Sequence, residues 1–125
     1  MDQAINAINW FEIPVSDFAR AKKFYSNILN TELFETEMNG RTMAFFPSAN
    51  GGVGGSICQG EGCEPAATGT CVFINGLEDL DNVLSKVVPE GGQVMMPKTN
   101  IGDEAGNIAY FIDTEGNKVG LHSMQ

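Results

Sequence analysis

Two ionisable side chains stand out, because each interrupts a short apolar segment. Glu12 lies within segment 8–15, and His122, the only histidine, lies within segment 118–122. A carboxylate beside an imidazole can exchange protons near neutral pH, so the two could act as general acid and base. They could also hold a divalent metal ion, although two protein ligands alone make a weak site.

Both residues also have a structural interpretation. A carboxylate in an apolar strand is rare without a partner, so Glu12 can equally be a hydrogen-bonded structural residue. His122 stands close to the end of the sequence, where chains fray. The residue types alone leave both interpretations open.

Strand alternation assigns these residues to faces of a sheet. Successive side chains of a strand point to opposite sides. Ile13 and Val15 lie on the apolar face of the first segment, which places Trp10 and Glu12 on the other. The same alternation places His122 opposite the apolar residues of the last segment.

The elements that position these residues form a unit that occurs twice. Each copy has an apolar strand, an acidic residue, an amphipathic helix and three short strands. Helices are predicted over 18–29 and 80–88, where apolar residues recur at helical spacing. Asp17 and Asp79 are the predicted N-caps, since a carboxylate there can accept from free N–H groups of the first turn.

Strands separated by turn residues fill the rest of each copy. They are predicted over 8–15, 32–38, 41–46 and 51–58 in the first copy, and over 71–75, 93–98, 107–113 and 118–122 in the second. The order βαβββ, repeated, predicts an α+β fold. We expect one domain over residues 1–125, with module one at 1–60, a linker at 61–68 and module two at 69–125.

The amino-acid composition restricts the classes of molecule that the protein could bind. The apolar content of 42% is enough for a core, and no apolar stretch approaches the length of a membrane span. The net charge of −9 disfavours DNA and RNA, whose binding requires neutralisation of phosphates by Lys and Arg. The three cysteines fit no zinc-finger or CxxC spacing, so we expect reduced thiols in a cytoplasmic protein without nucleic-acid or membrane partners.

The order of elements, together with two short motifs, resembles the vicinal oxygen chelate superfamily. This superfamily includes glyoxalase I, bleomycin-resistance proteins and extradiol dioxygenases. The motifs are the stretch 14–17 followed by Phe24-Tyr25, and the turn 113–118, which contains Asp-x-x-Gly-Asn. The resemblance implies two βαβββ modules whose mixed sheets curl into a cup, with helices outside and the ligand site inside. It also implies a homodimer in which modules of the two chains can share a site, and it brings Glu12 and His122 towards one cavity.

The resemblance further indicates where metal-dependent relatives carry their four ligands. On the first strand the ligand lies seven residues before the capping Asp, at Trp10, and on the last strand it lies at Gly120. The strand after the glycine-rich loop offers Gly55, Ser56 or Ile57, and the fifth strand offers Thr70 or Cys71. Since neither carboxylate nor imidazole stands at these positions, we expect no metal and no usual glyoxalase or dioxygenase chemistry.

Two hypotheses follow. The first is a cofactor-free protein, similar to the bleomycin-resistance branch, that binds a small molecule in the cup. The second is a glyoxalase-like lyase or other enzyme of the superfamily that uses Glu12 and His122 as an acid–base pair or as displaced ligands of a weakly held metal. The candidate ligand-binding residues are Trp10, Ser56, Cys71 and Lys98, of which Lys98 could meet an anionic ligand at the pocket mouth.

Overall fold

The computed structural model describes residues 6–125, so the first five residues of the predicted module one lie outside it. The first βαβββ unit comprises β1 (Trp10–Pro14), α1 (Phe18–Ile28), β2 (Phe34–Met38), β3 (Arg41–Phe45) and β4 (Gly54–Gln59). The second comprises β5 (Phe73–Asn75), α2 (Leu80–Val87), β6 (Gln93–Asn100), β7 (Asn107–Ile112) and β8 (Lys118–Ser123). The predicted α+β fold with two such units is confirmed.

Each unit forms its own four-stranded mixed sheet. The strand orders are β1-β4-β3-β2 and β5-β8-β7-β6. In both sheets the first strand runs parallel to the last, and the other pairs are antiparallel. The first and fourth strands of a unit are therefore neighbours, which brings residues distant in sequence onto one surface.

Both helices begin at the predicted caps. An Asp17 carboxylate oxygen accepts from the N–H of Arg20 at 3.1 Å, and an Asp79 oxygen accepts from the N–H of Asp81 at 3.0 Å. Helix α1 buries one stripe of side chains, and α2 does the same. The helices thus start where the sequence places an acceptor for otherwise free backbone donors.

Four strands begin later than predicted: β1 starts at Trp10, β2 at Phe34, β4 at Gly54 and β5 at Phe73. Residues 49–52 form a turn, in which Asn50 and Gly51 have positive φ and the N–H of Gly52 donates to the carbonyl of Ala49. Strand β4 therefore starts at Gly54. Strand β5 starts at Phe73, so Cys71 precedes this strand instead of lying in it.

One core packs between the helices and the inner faces of both sheets. It contains Ile13 and Val15 from the first unit and Val119 and Leu121 from the second, as the alternation predicts. The face of each sheet that points away from the core we call its outer face. Trp10, on the outer face of the first sheet, is 44% exposed.

A buried network joins the two units. The Tyr25 hydroxyl donates to an Asp113 carboxylate oxygen at 2.6 Å, and the Asn117 side-chain amide donates to that carboxylate at 3.0 Å and to the Pro14 carbonyl at 2.7 Å. Asp113 also accepts from the N–H groups of Glu115 and Asn117. The two sequence motifs behind the family resemblance therefore meet each other in the core.

Replacing Tyr25 tests the network. We expect Tyr25→Phe to lower the free energy of unfolding by roughly 1–3 kcal/mol, because a buried carboxylate loses one donor. Urea unfolding followed by circular dichroism measures this. Tyr110→Phe is the matched control, since the Tyr110 hydroxyl makes no hydrogen bond with any residue of 6–125. Equal stability of the two variants would contradict the prediction.

A second link joins the units at the surface through Glu115. Its carboxylate accepts from the Arg20 guanidinium at 2.7 Å and from the N–H groups of Asp17 and Ser16 at 2.7 and 3.0 Å. Burial acts to raise the pKa of Glu115, but Arg20 and these N–H donors outweigh it and hold the pKa at about 2. The turn between β7 and β8 thus binds the N-terminus of α1.

Acid unfolding should report this link. Because the pKa of Glu115 is lower in the folded protein than its ordinary value of 4.5, the stabilisation is full above pH 4.5 and is lost as the pH falls towards 2. We expect Glu115→Gln to flatten the pH dependence of the unfolding free energy over this interval. Glu37→Gln is the control, since Glu37 has no hydrogen bond or ion pair with residues 6–125. Identical slopes for Glu115→Gln and wild type would refute the link.

Candidate functional site

The outer face of the first sheet carries an open pocket of about 240 Å³. Two aromatic rings and two methionines supply its apolar surface, and a carboxylate, a guanidinium and an amide supply its polar groups. The lining residues are Trp10, Glu12, Met38, Asn39, Arg41, Met43 and Phe45.

Strand register explains why these residues meet. Glu12 of β1 is paired with Ser56 of β4, and Ser56 is paired with Phe45 of β3. Paired residues of neighbouring strands share a face, so alternate positions of three strands contribute to one surface. The rings of Trp10 and Phe45 lie 5.5 Å apart across this surface.

Arg41 is the centre of the polar part of the site. Its Nη2 donates to Glu12 Oε1 at 2.8 Å and lies 3.1 Å from Cys58 Sγ and 3.2 Å from Cys63 Sγ. The bond to Glu12, followed by those to the two cysteines, raises the pKa of Arg41 above its ordinary value. The guanidinium therefore remains charged, and Glu12 balances its charge.

Two buried polar atoms at this site have no hydrogen-bonding partner within residues 6–125. They are Arg41 Nε and the hydroxyl oxygen of Ser56, a residue that is 0% exposed. Buried donors and acceptors are nearly always satisfied, so each needs an explanation. Ser56 thus lies next to Glu12 in the sheet but beneath the open surface, and its role in ligand binding stays a prediction.

Cys71 lies at a different pocket, of about 270 Å³. Loop residues before β5 and Lys118 of β8 form this pocket, and the Lys118 ammonium lies 4.3 Å from the centre of the Tyr110 ring. Cys71 Sγ lies 3.9 Å from the carbonyl oxygens of Val72 and Lys118. The structure therefore separates Cys71 from Trp10, Glu12 and Ser56.

His122 and Lys98 have partners elsewhere. His122 Nε2 donates to the Ala105 carbonyl at 2.6 Å, and Lys98 Nζ donates to Asp79 Oδ1 at 3.1 Å. Lys98 therefore binds the cap of α2 and lines neither of these pockets. Within residues 6–125 no hydrogen bond joins Glu12 to His122, and their action as a pair stays a prediction.

Sequence reasoning missed Arg41, Cys58 and Cys63. The alternation that identified Glu12 also places Cys58, two residues after Ser56, on the outer face, and Arg41 two residues before Met43. Cys63 lies in the connection after β4, where alternation has no meaning. Only the folded chain shows that its thiol returns to the sheet.

The positions that the resemblance assigns to metal ligands offer a poor donor set for a divalent ion. An indole stands at Trp10 and Gly120 has no side chain, while the other two positions offer Gly55, Ser56 or Ile57 and Thr70 or Cys71. The Phe73 ring lies directly over Gly120, so even a Cβ would overlap with it. Among residues 6–125, no three His, Cys, Asp or Glu side chains form a group that could hold a metal.

Neither helix of the described chain is long and apolar enough to cross a membrane.

Comparison with known proteins identifies the family. The model of the Glyoxalase/Bleomycin resistance protein/Dioxygenase superfamily matches residues 7–121. CFP32 of Mycobacterium bovis, provisionally named a glyoxylase, is 34% identical over 119 residues, which cover 90% of this chain and 44% of the relative. The chain thus spans less than half the length of this relative.

Solved structures share the fold. A glyoxalase/bleomycin resistance protein from Albidiferax ferrireducens has a TM-score of 0.69 and 20% identity, with 93% of this chain and 98% of the other covered. TnmS3, an antibiotic-binding protein from Streptomyces, has a TM-score of 0.62 and 22% identity, with 96% and 97% covered. The chain belongs to the Glyoxalase/Bleomycin resistance protein/Dioxygenase superfamily.

Proposed function

We propose that this superfamily member binds a neutral, planar, aromatic small molecule on the outer face of its first sheet, without a metal. The observation that carries the proposal is the pocket itself. Two aromatic rings, those of Trp10 and Phe45, lie next to an ion pair, and two methionines and the Asn39 amide complete the surface. A mainly apolar wall with a few fixed polar groups is typical of small-molecule sites.

The charge balance of the pocket supports a neutral ligand. Arg41 Nε and the Ser56 hydroxyl are buried, so the polar group that a ligand in the open pocket meets is the Arg41–Glu12 pair. Because Glu12 already balances the charge of Arg41, a neutral ligand meets no uncompensated charge there. TnmS3, which shares the fold, is an antibiotic-binding protein, in line with a binding function on this scaffold.

The enzymatic alternative requires Glu12 and His122 to act together. Their recorded partners, Arg41 and the Ala105 carbonyl, lie within their own βαβββ units. A dimer that sets the first sheet of one protomer against the second sheet of the other would bring Glu12 and His122 to opposite walls of a shared site. The enzymatic alternative therefore depends on the assembly, whereas the described lining residues of the Trp10 pocket all belong to one protomer.

Titration with 2-naphthol, a small planar probe with a hydroxyl edge, tests the binding proposal. We expect 2-naphthol to shift the NMR resonance of the Trp10 indole N–H, which is unambiguous because Trp10 is the only tryptophan. EDTA should leave this shift unchanged. Trp10→Ala should weaken binding at least about tenfold, as measured by calorimetry, because the ligand can no longer stack on the indole ring. Phe34→Ala is the control, since Phe34 is exposed but lies outside the pocket. Equal weakening by both variants, or binding that requires metal, would overturn the proposal.

We further propose that the protein is a cytoplasmic homodimer. Its outer faces expose large apolar side chains, among them Trp10 and Phe73, each 44% exposed, and such patches on a soluble protein favour association. The pocket of about 240 Å³ is open and slightly smaller than typical ligand sites, so a second protomer could complete it. The three cysteines are free thiols, a state that a reducing cytoplasm maintains.

Sedimentation equilibrium tests the assembly. We expect a mass about twice the 13.4 kDa of one chain at micromolar concentration. Phe73→Asp should shift the equilibrium to monomer, because it places a charge on the surface to be covered. Glu37→Gln, a change at an exposed position of β2, should leave the dimer intact. A wild-type chain that remains monomeric at hundreds of micromolar would exclude the dimer.

A further inference from the structure

Two thiols lie side by side beneath the pocket of the first sheet, and the proposed binding function does not use them. Cys58 Sγ and Cys63 Sγ are 2.9 Å apart. The residues are 2% and 7% exposed, and they pack with Met43. Cys58 lies on β4, and Cys63 follows in a turn where its N–H donates to the Gly60 carbonyl. This turn folds the second thiol back onto the first.

Arg41 contacts both sulfurs with one nitrogen, at 3.1 and 3.2 Å. A guanidinium beside a thiol stabilises the thiolate, which is the form that attacks a disulfide. Glu12 Oε1 lies 4.0 Å from Cys58 Sγ and accepts from its S–H. The cluster therefore combines two adjacent thiols, a cation that favours the thiolate and a carboxylate that orients the Cys58 S–H.

From this arrangement we propose that Cys58 and Cys63 form a reversible disulfide by exchange with a low-molecular-weight disulfide. The Cys63 thiolate attacks one sulfur of that molecule, which forms a mixed disulfide and releases one thiolate. The Cys58 thiol then loses its proton and attacks the Cys63 sulfur, which breaks the mixed disulfide and releases the second thiolate. The released thiolates take up the two cysteine protons. Two cysteines are thereby oxidised and one small disulfide is reduced to two thiols.

The order of the two attacks follows from the surroundings of each thiol. Cys63 lies in a turn whose neighbours Glu61 and Gly62 are exposed, whereas Cys58 lies in a strand within the sheet. Burial, together with the hydrogen bond from Cys63, raises the pKa of Cys58 to about 12. Cys58 therefore stays protonated until the mixed disulfide forms next to it. Cys71 belongs to the other pocket and takes no part.

Oxidised glutathione is the probe for the test. The reduced chain should change from three free thiols to one, counted by alkylation after acid quenching, with an intact mass lower by about 2 Da. Cys71→Ser should lose both of its remaining thiols, and in that variant any intramolecular disulfide must join Cys58 to Cys63. Dithiothreitol should restore the thiols in both proteins.

Two variants complete the experiment. Cys63→Ser should form no intramolecular disulfide, and Arg41→Gln should form it about tenfold more slowly, because a thiolate next to Arg41 loses its cation. Circular dichroism must show that each variant is folded. If Cys63→Ser does not fold, Cys63→Ala is used in its place. The proposal is overturned if folded Cys71→Ser keeps both thiols at equilibrium, or if it carries only a glutathione adduct.

Discussion

The hydrogen bond from Tyr25 to Asp113 is the interaction on which the rest of the structure depends. A carboxylate in a protein core must be surrounded by donors, and Asp113 meets four of them, from the Tyr25 hydroxyl, the Asn117 amide and two backbone N–H groups. These donors come from helix α1 and from the turn between β7 and β8. Asn117 also reaches the end of β1 through the Pro14 carbonyl. The two units therefore pack in one arrangement, since another would take the Tyr25 donor away from the Asp113 carboxylate and the Asn117 amide away from the Pro14 carbonyl.

This arrangement decides which sheet faces are free for function. The helices and the core cover one face of each sheet, so alternate residues of every strand are left on the other. Because Ile13 and Val15 lie on the buried face of β1, Trp10 and Glu12 lie on the opposite face. The surface proposed to bind a ligand thus follows from the packing of the core, without any additional element. Its chemistry is then set by a few outer-face residues, which can differ between relatives while the fold stays the same.

The parts of the molecule in which apolar residues recur at helical or strand spacing could be predicted from the sequence. The helices, their caps and the face of Glu12 follow from spacing, and they are confirmed. The late start of β5 could not be predicted, because an apolar segment does not show where pairing with β8 begins. The partners of Glu12 were also missed. Arg41 reaches Glu12 through the β2–β3 hairpin, and Cys63 reaches Arg41 through the turn after β4. Residue spacing along the sequence does not show distances that such connections create.

Arg41 connects the two chemical features of the first sheet. Its Nη2 binds Glu12 and both sulfurs, while its Nε, at the same planar group, has no partner among residues 6–125. A guanidinium presents its donors in a rigid plane, so a shift at one nitrogen moves the others. Two sulfurs joined in a disulfide no longer offer a thiolate to Arg41, and the guanidinium would then depend more on Glu12. The proposed disulfide and the proposed ligand site therefore share one side chain, because Arg41 both contacts the two sulfurs and lines the pocket.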